Sequence, residues 1–217
     1  MTTRKRIAIL ISGRGSNMAA LIEAARAPDY PAEVVLVVSN RPDAPGLALA
    51  RAAGVPIRAV DHKGFASREA FDAAVEAALV EARIDLVCQA GFMRIQSAAF
   101  ATRWLGRQLN IHPSLLPAFK GLHPQRQALE AGVRIAGCTV HFVTPELDAG
   151  PIVAQAAVPV REGDTPESLA ARILAAEHRL YPLALRLVAA GRARLEGGRA
   201  VVDGPVEEAA QLLAPAS

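Results

Sequence analysis

RIAILISGRGSN, residues 6–17, passes from an unbroken apolar run through a glycine-rich turn into Ser16 and Asn17. A run with no polar interruption marks a strand buried on both faces, as in a parallel sheet. Ser12-Gly13 ends it, and residues 16–26 continue with helical periodicity. Strand, glycine turn and helix in direct succession open a β–α–β unit.

The alternation continues downstream. Residues 33–39 (EVVLVVS) predict a second strand, 45–53 a short helix, 57–60 a third strand, 67–82 a helix and 85–90 (DLVCQA) a fourth strand. Residues 107–112 read as a strand ending at Pro113, and 114–121 (SLLPAFKG) hold too much Pro and Gly for regular structure, which predicts an ordered loop. Two β-rich runs, 133–143 and 152–160, surround TPELDAGP (144–151) and predict a long antiparallel pair. Thr165-Pro166-Glu167 caps a last helix whose stripe of Leu169, Ile173, Leu180, Leu183 and Leu187 should pack on the sheet up to Gly191. Residues 194–195 and 200–202 flank Glu196–Arg199 as a hairpin, and the tail after Gly204 is expected to be loose. The expected fold class is α/β: a Rossmann-like, mostly parallel sheet flanked by helices, with antiparallel strands in the C-terminal half. One domain is expected over 1–217, divided into 1–106, 107–190 and a terminal hairpin and tail over 191–217.

Composition narrows the function classes. Apolar residues at 52% with 21% charged and 4% aromatic describe an Ala- and Val-rich globule, against disorder and against an aromatic platform for single-stranded nucleic acid. The net charge of +3 is a small excess of 24 basic over 21 acidic residues, interspersed without a basic block. Cys88 and Cys138 stand far apart with no C-x-x-C, so a zinc site or disulfide framework has no support and a reduced setting is the default. The apolar run 7–11 is too short for a signal-peptide core or a membrane span. The expected location is cytoplasmic, with neither nucleic acid nor membrane as partner; the sequence sets no oligomeric state.

Several residues can carry chemistry. At the junction of first strand and first helix, free N–H groups and the helix dipole converge, Gly13 and Gly15 admit an anion, and Ser16 and Asn17 add donors. That suits a phosphate; the alternative is a tight polar-capped turn. The loop lacks the third glycine of a dinucleotide fingerprint and the Gly-Lys-Ser/Thr of a Walker loop. Asn110 and His112, two apart on a strand, share a face at the carboxyl end of the sheet, where open α/β folds bind ligands. Taken alone, such a His is more often structural. Asp148 is the candidate carboxylate partner, or else an ordinary turn residue before Ala149-Gly150. Glu177 sits on or beside the buried helix stripe and needs a partner there, unless it snorkels. His62, His123, His141 and His178 show no metal-ligand spacing and read as structural, and Ser12, Ser16 and Ser114 lack a nucleophile elbow.

Four segments, ISGRGSN (11–17), AGFMRIQS (90–97), LNIHPSLLPAFKGLHPQRQAL (109–129) and GCTVHFVTPELDAGPIVAQ (137–155), closely resemble the glycinamide ribonucleotide formyltransferases of purine biosynthesis, in that family's order and spacing. The likeness runs from the first strand through Pro182. NIHPSLLP and LDAGP are shared more widely among enzymes using 10-formyltetrahydrofolate, whereas SGRGSN points to the ribonucleotide enzymes. The resemblance implies a one-carbon transferase acting on small molecules, glycinamide ribonucleotide and 10-formyltetrahydrofolate, the latter as co-substrate, with no metal. It implies Asn110, His112 and Asp148 as the catalytic set. Gly15, Ser16 and Asn17 would hold the ribose phosphate, and Leu174, Ala175, Ala176 and Glu177 would meet the glycinamide end. Arg68, Met93, Arg94, Ile95, Gln96, Asn110, Thr144, Pro145, Glu146, Leu147 and Asp148 would line the folate site. The first 106 residues would then be the phosphate-binding half and 107–190 the catalytic and folate-binding half. Two positions depart from the commonest pattern: Gln125, where many relatives carry a second His, and Arg14, in place of a small polar residue.

Competing readings are weaker. A methionyl-tRNA formyltransferase is expected to carry a further C-terminal domain, for which 217 residues leave no room, and a formyltetrahydrofolate hydrolase an extra regulatory domain. A nucleotide-dependent oxidoreductase would need the third glycine and an acidic residue for the ribose. A non-catalytic nucleotide-binding regulator is the remaining alternative.

Overall fold

A computed structural model describes residues 4–204. Among these described residues, nine strands and six α-helices follow in chain order: β1 (Lys5–Ile11), α1 (Ser16–Ala24), β2 (Ala32–Ser39), α2 (Pro45–Ala52), β3 (Ile57–Ala59), α3 (Arg68–Glu81), β4 (Leu86–Gln89), α4 (Ala98–Arg103), β5 (Gln108–His112), α5 (Pro124–Glu130), β6 (Ile135–Phe142), β7 (Ile152–Pro159), α6 (Pro166–Ala189), β8 (Ala193–Glu196) and β9 (Arg199–Val202). Seven strands form one sheet in the order β3-β2-β1-β4-β5-β6-β7. The first five are parallel, while β5–β6 and β6–β7 are antiparallel. β8 and β9 pair as the expected hairpin. The mostly parallel sheet with antiparallel C-terminal strands is thus observed; the tail after Gly204 lies outside the described residues.

β1 shows why the apolar run has no polar interruption. Ile7, Ile9 and Ile11 pack on one face with residues of α1 and α6, and Ala8 and Leu10 on the other with residues of α3 and α4. From β1 the chain builds outward through β2 and β3, then returns to place β4 on the other side of β1. The strand order therefore reverses between β1 and β4, and a crevice opens at their carboxyl ends, the usual ligand position in open α/β sheets.

Two helices escaped the sequence reading. α4 is six residues long, capped by Ser97, whose Oγ accepts from the Phe100 N–H (3.3 Å). That is too short to show a period. α5 follows the loop after β5 and carries Pro124 in its first turn, a start signal that was legible in HPQRQALE. A single 3₁₀ turn, His62–Gly64, was also not foreseen.

α6 binds the molecule together. Thr165 and Ser168 exchange side-chain and backbone hydrogen bonds in a capping box, as the cap residues implied. The Tyr181 hydroxyl, wholly buried, reaches the carbonyl oxygens of Gln89 (3.0 Å) and Leu109 (3.1 Å), on β4 and β5. Glu177 lies one turn earlier on the same helix face, so the anchor that docks Tyr181 also aims Glu177 at the crevice.

Candidate active site

The glycine turn after β1 is built for close approach. Gly15 holds φ 75, and a Cβ there would stand 3.1 Å from the Gly46 Cα. It is the N-cap of α1 without any side-chain cap, so no side chain of the turn meets the leading N–H groups of that helix. Ser12 is committed to structure: its Oγ donates to Asn40 Oδ1 (2.5 Å) and accepts from the Met93 N–H (2.7 Å), tying the turn to the segment after β4. Asn17 Nδ2 donates to Glu177 Oε2 at 2.7 Å, whereas Asn17 Oδ1 is buried with no partner among the described residues. Burial pushes the Glu177 carboxyl above the ordinary glutamate value, with the Asn17 bond acting in the opposite direction.

At the end of β5, Asn110 and His112 share one face, and Asp148 joins them from the loop between β6 and β7. Asp148 Oδ2 lies 3.5 Å from His112 Nδ1, with both side chains over nine-tenths buried. The same oxygen accepts from the Gly121 N–H at 2.9 Å, and Asp148 itself holds φ 48, so the carboxylate is fixed from two sides. His112 Nε2 lies 2.9 Å from the Phe119 carbonyl and donates to it, which leaves Nδ1 as the nitrogen beside Asp148. Gly150 lets the loop close. A Cβ there would stand 1.7 Å from the Phe142 oxygen, a position no other residue could occupy without moving the backbone.

His141 also stands in this cluster, a position that its reading as a structural histidine did not include. β5 and β6 pair with Asn110 opposite His141. His141 Nδ1 donates to the Phe142 carbonyl (2.9 Å), so Nε2 is an acceptor and takes one Asn110 Nδ2–H at 3.2 Å, with Asp148 Oδ1 3.9 Å away. Burial lowers the imidazole pKa, with the Phe142 bond and the Asp148 charge opposing, which favours the neutral ring. No local spacing marks it; only the strand register does.

These groups line one cavity of about 530 Å³. Its wall brings together Asn17 and Glu177, the Asn110–His112–Asp148 cluster, residues 93–96 and residues 144–147. Gln89, Leu122, His123 and His141 also line it and were not foreseen. Gly15, Ser16, Arg68 and Leu174, Ala175 and Ala176 are not in the wall; Arg68 is the exposed first residue of α3. Arg94 Nε is buried without a partner among the described residues, and its guanidinium lies 6.0 Å from the Phe71 ring centre. No group of three or more metal-ligating side chains occurs among the described residues.

A family model described as formyl transferase matches residues 5–185. The solved glycinamide ribonucleotide transformylase 1 of Symbiobacterium toebii is 54% identical, with 92% of this chain and 95% of that one covered and a TM-score of 0.89. Phosphoribosylglycinamide formyltransferase of Escherichia coli strain K12 is 46% identical over 198 residues, 91% of this chain and 93% of its own length. The trifunctional purine biosynthetic protein adenosine-3 of Gallus gallus is 52% identical over 199 residues, 91% of this chain, which spans only 20% of that relative's length. Such identity across nine-tenths of the chain, with a fold that superposes at a TM-score of 0.89 over 92% of it, places the protein in the formyl transferase family, among the phosphoribosylglycinamide formyltransferases.

Proposed function

We propose that the protein transfers the formyl group of 10-formyltetrahydrofolate to the amine of glycinamide ribonucleotide, giving formylglycinamide ribonucleotide and tetrahydrofolate, a step of de novo purine synthesis in the cytoplasm. The observation that carries this reading is the continuity of one cavity. Asn17 and Glu177 stand beside the uncapped start of α1, and the carboxamide–imidazole–carboxylate cluster opens into the same space. An anionic sugar phosphate at the helix start would set its amine near Glu177 and in front of that cluster. Arg94, with a buried nitrogen lacking a partner, and residues 144–148 fit a second, larger ligand entering from the other side.

The amine attacks the formyl carbon and forms a C–N bond, and the carbonyl oxygen takes up negative charge. One Asn110 N–H is held by His141, which leaves the second N–H of that amide to meet the oxyanion. The intermediate collapses by breaking the bond to N10. The attacking nitrogen loses one proton and N10 gains one, so the site needs a relay rather than a consumed acid. His112 supplies it through Nδ1, the nitrogen not held by Phe119, directly or through a water bonded to Asp148. No enzyme nucleophile is required.

Spectrophotometric release of tetrahydrofolate tests the assignment. Release that depends on glycinamide ribonucleotide supports transfer; release at the same rate without it supports hydrolysis of the formyl donor instead.

A further inference from the structure

Three glutamines form a buried network beside the cavity. Gln96 Oε1 accepts from Gln89 Nε2 at 2.8 Å and from Gln108 Nε2 at 2.5 Å. Gln89 ends β4, Gln96 lies between β4 and α4, and Gln108 begins β5 on the same face as Asn110 and His112, so the network continues the row of polar side chains at the reaction centre. All three are at least nine-tenths buried, and Gln108 is wholly so. Gln89 and Gln96 line the cavity; Gln108 stands behind them.

The bonding leaves three amide atoms over, two of them toward the cavity and one, Gln108 Oε1, sealed behind it. Among the described residues neither Gln96 Nε2 nor Gln89 Oε1 has a partner, and neither is sealed from the cavity as Gln108 Oε1 is. The wall therefore shows a donor next to an acceptor. Flipping all three amides together would keep both internal bonds but reverse this face, burying two unmet N–H groups of Gln108 where the observed arrangement buries one unmet N–H and one unmet carbonyl. Apolar side chains of the same size would leave nothing unmet, so the amides are costly to the fold unless a ligand meets them.

We infer that Gln89 and Gln96 hydrogen-bond the planar heterocycle of the formyl donor, Gln96 donating to a ring nitrogen or carbonyl and Gln89 accepting from an adjacent N–H or amino group, while Gln108 is a positioning residue that sets the polarity of the pair. The inference rests on the folate reading above and deepens it. An aminopyrimidine or lactam edge, such as a pterin presents, carries the matching donor and acceptor side by side. A site with buried polar groups aimed at such an edge rejects analogues that lack it.

The test is calorimetric titration with tetrahydrofolate, which does not require turnover, together with the KM of each substrate and the melting temperature. Gln96→Leu and Gln89→Leu should each weaken tetrahydrofolate binding roughly 5- to 150-fold, the range for an unmet buried partner, with the KM for the ribonucleotide within about twofold of wild type. Gln108→Leu, outside the wall, should weaken it less. The triple leucine variant should melt no lower than wild type yet lose the preference for tetrahydrofolate over an analogue without the exocyclic amino group. Unchanged tetrahydrofolate affinity in the two wall variants would overturn the inference, as would parallel losses for both substrates with a lower melting temperature. Wild-type protein that binds tetrahydrofolate with this dependence but shows no ribonucleotide-dependent turnover would refute the transfer reading alone; wild-type protein that does not bind tetrahydrofolate would refute both.

Discussion

In the proposed mechanism, Asp148 is the residue on which the proton relay depends. Fixed by Gly121 and its own left-handed backbone, its carboxylate can stay in place when its charge is removed. Asp148→Asn should therefore lower turnover about 10²- to 10⁴-fold, the usual worth of a positioned acid–base group, and displace the acid limb of the pH–rate profile. A profile superposable on that of wild type removes Asp148 from the relay. Two other buried groups act on stability with opposite signs. The His141 pKa is lowered in the fold, so the unfolded chain binds the extra proton first, and stability present above about pH 6.5 is lost as pH falls through the window beneath it. The Glu177 pKa is raised, so the folded chain binds its proton first, and stability falls as pH rises from the ordinary glutamate range through the raised value. Melting curves across pH should show His141→Gln flattening the loss below pH 6.5. Glu177→Gln, which can still accept from Asn17, should melt above wild type at neutral pH and match it in acid. The reverse order in either comparison refutes the assignment of that group.

Among the elements, the turn that joins β6 to β7 has no room for a side chain at Gly150. A methyl at Gly150 collides with the Phe142 carbonyl, and the backbone must shift two residues from Asp148. Gly150→Ala should cost about 1–3 kcal/mol and several degrees in melting temperature, with turnover falling further than stability alone explains. Gly64→Ala, in open space within the 3₁₀ turn, is the control and should leave turnover unchanged. Equal effects at the two sites would mean that the turn does not position Asp148. Among the elements that sequence reading found are the apolar run of β1, the glycine-centred hairpin of β8 and β9, and the capped stripe of α6, from which Leu183 departs by facing solvent. α4 was missed because six residues hold under two turns. α5 was missed although Pro124 announced it, because the preceding Pro- and Gly-rich loop drew the reading toward irregular structure.

Over the whole molecule, the cavity is closed by parts distant in sequence: the start of α1, the ends of β4 and β5, the β6–β7 turn and the middle of α6. A ligand that bridges them should stabilise the fold as a unit. Glycinamide ribonucleotide at 100 times its Kd should add about 2.7 kcal/mol, roughly 5–10 °C in melting temperature for a chain of this size. In Glu177→Gln the rise should shrink for the ribonucleotide and persist for tetrahydrofolate. Thermal-shift measurements with each ligand check this, and equal loss of both rises would place Glu177 in a general structural role rather than at one end of the cavity.

Sequence by itself determined the identity of most strands and helices and the chemical types at the strand ends, because apolar period, glycine turns and helix caps are local properties of consecutive residues. It also brought Asn110 and His112 to one face, since alternation along a strand needs no tertiary information. Tertiary structure alone decided that His141 stands opposite Asn110, that Phe119 claims one nitrogen of His112 and leaves the other to Asp148, and that Gln89, Gln96 and Gln108 meet. Each of these depends on cross-strand register or on where a loop returns. A slip of one residue would turn every side chain of β6 to the other face, and only the packing of the whole sheet prevents it.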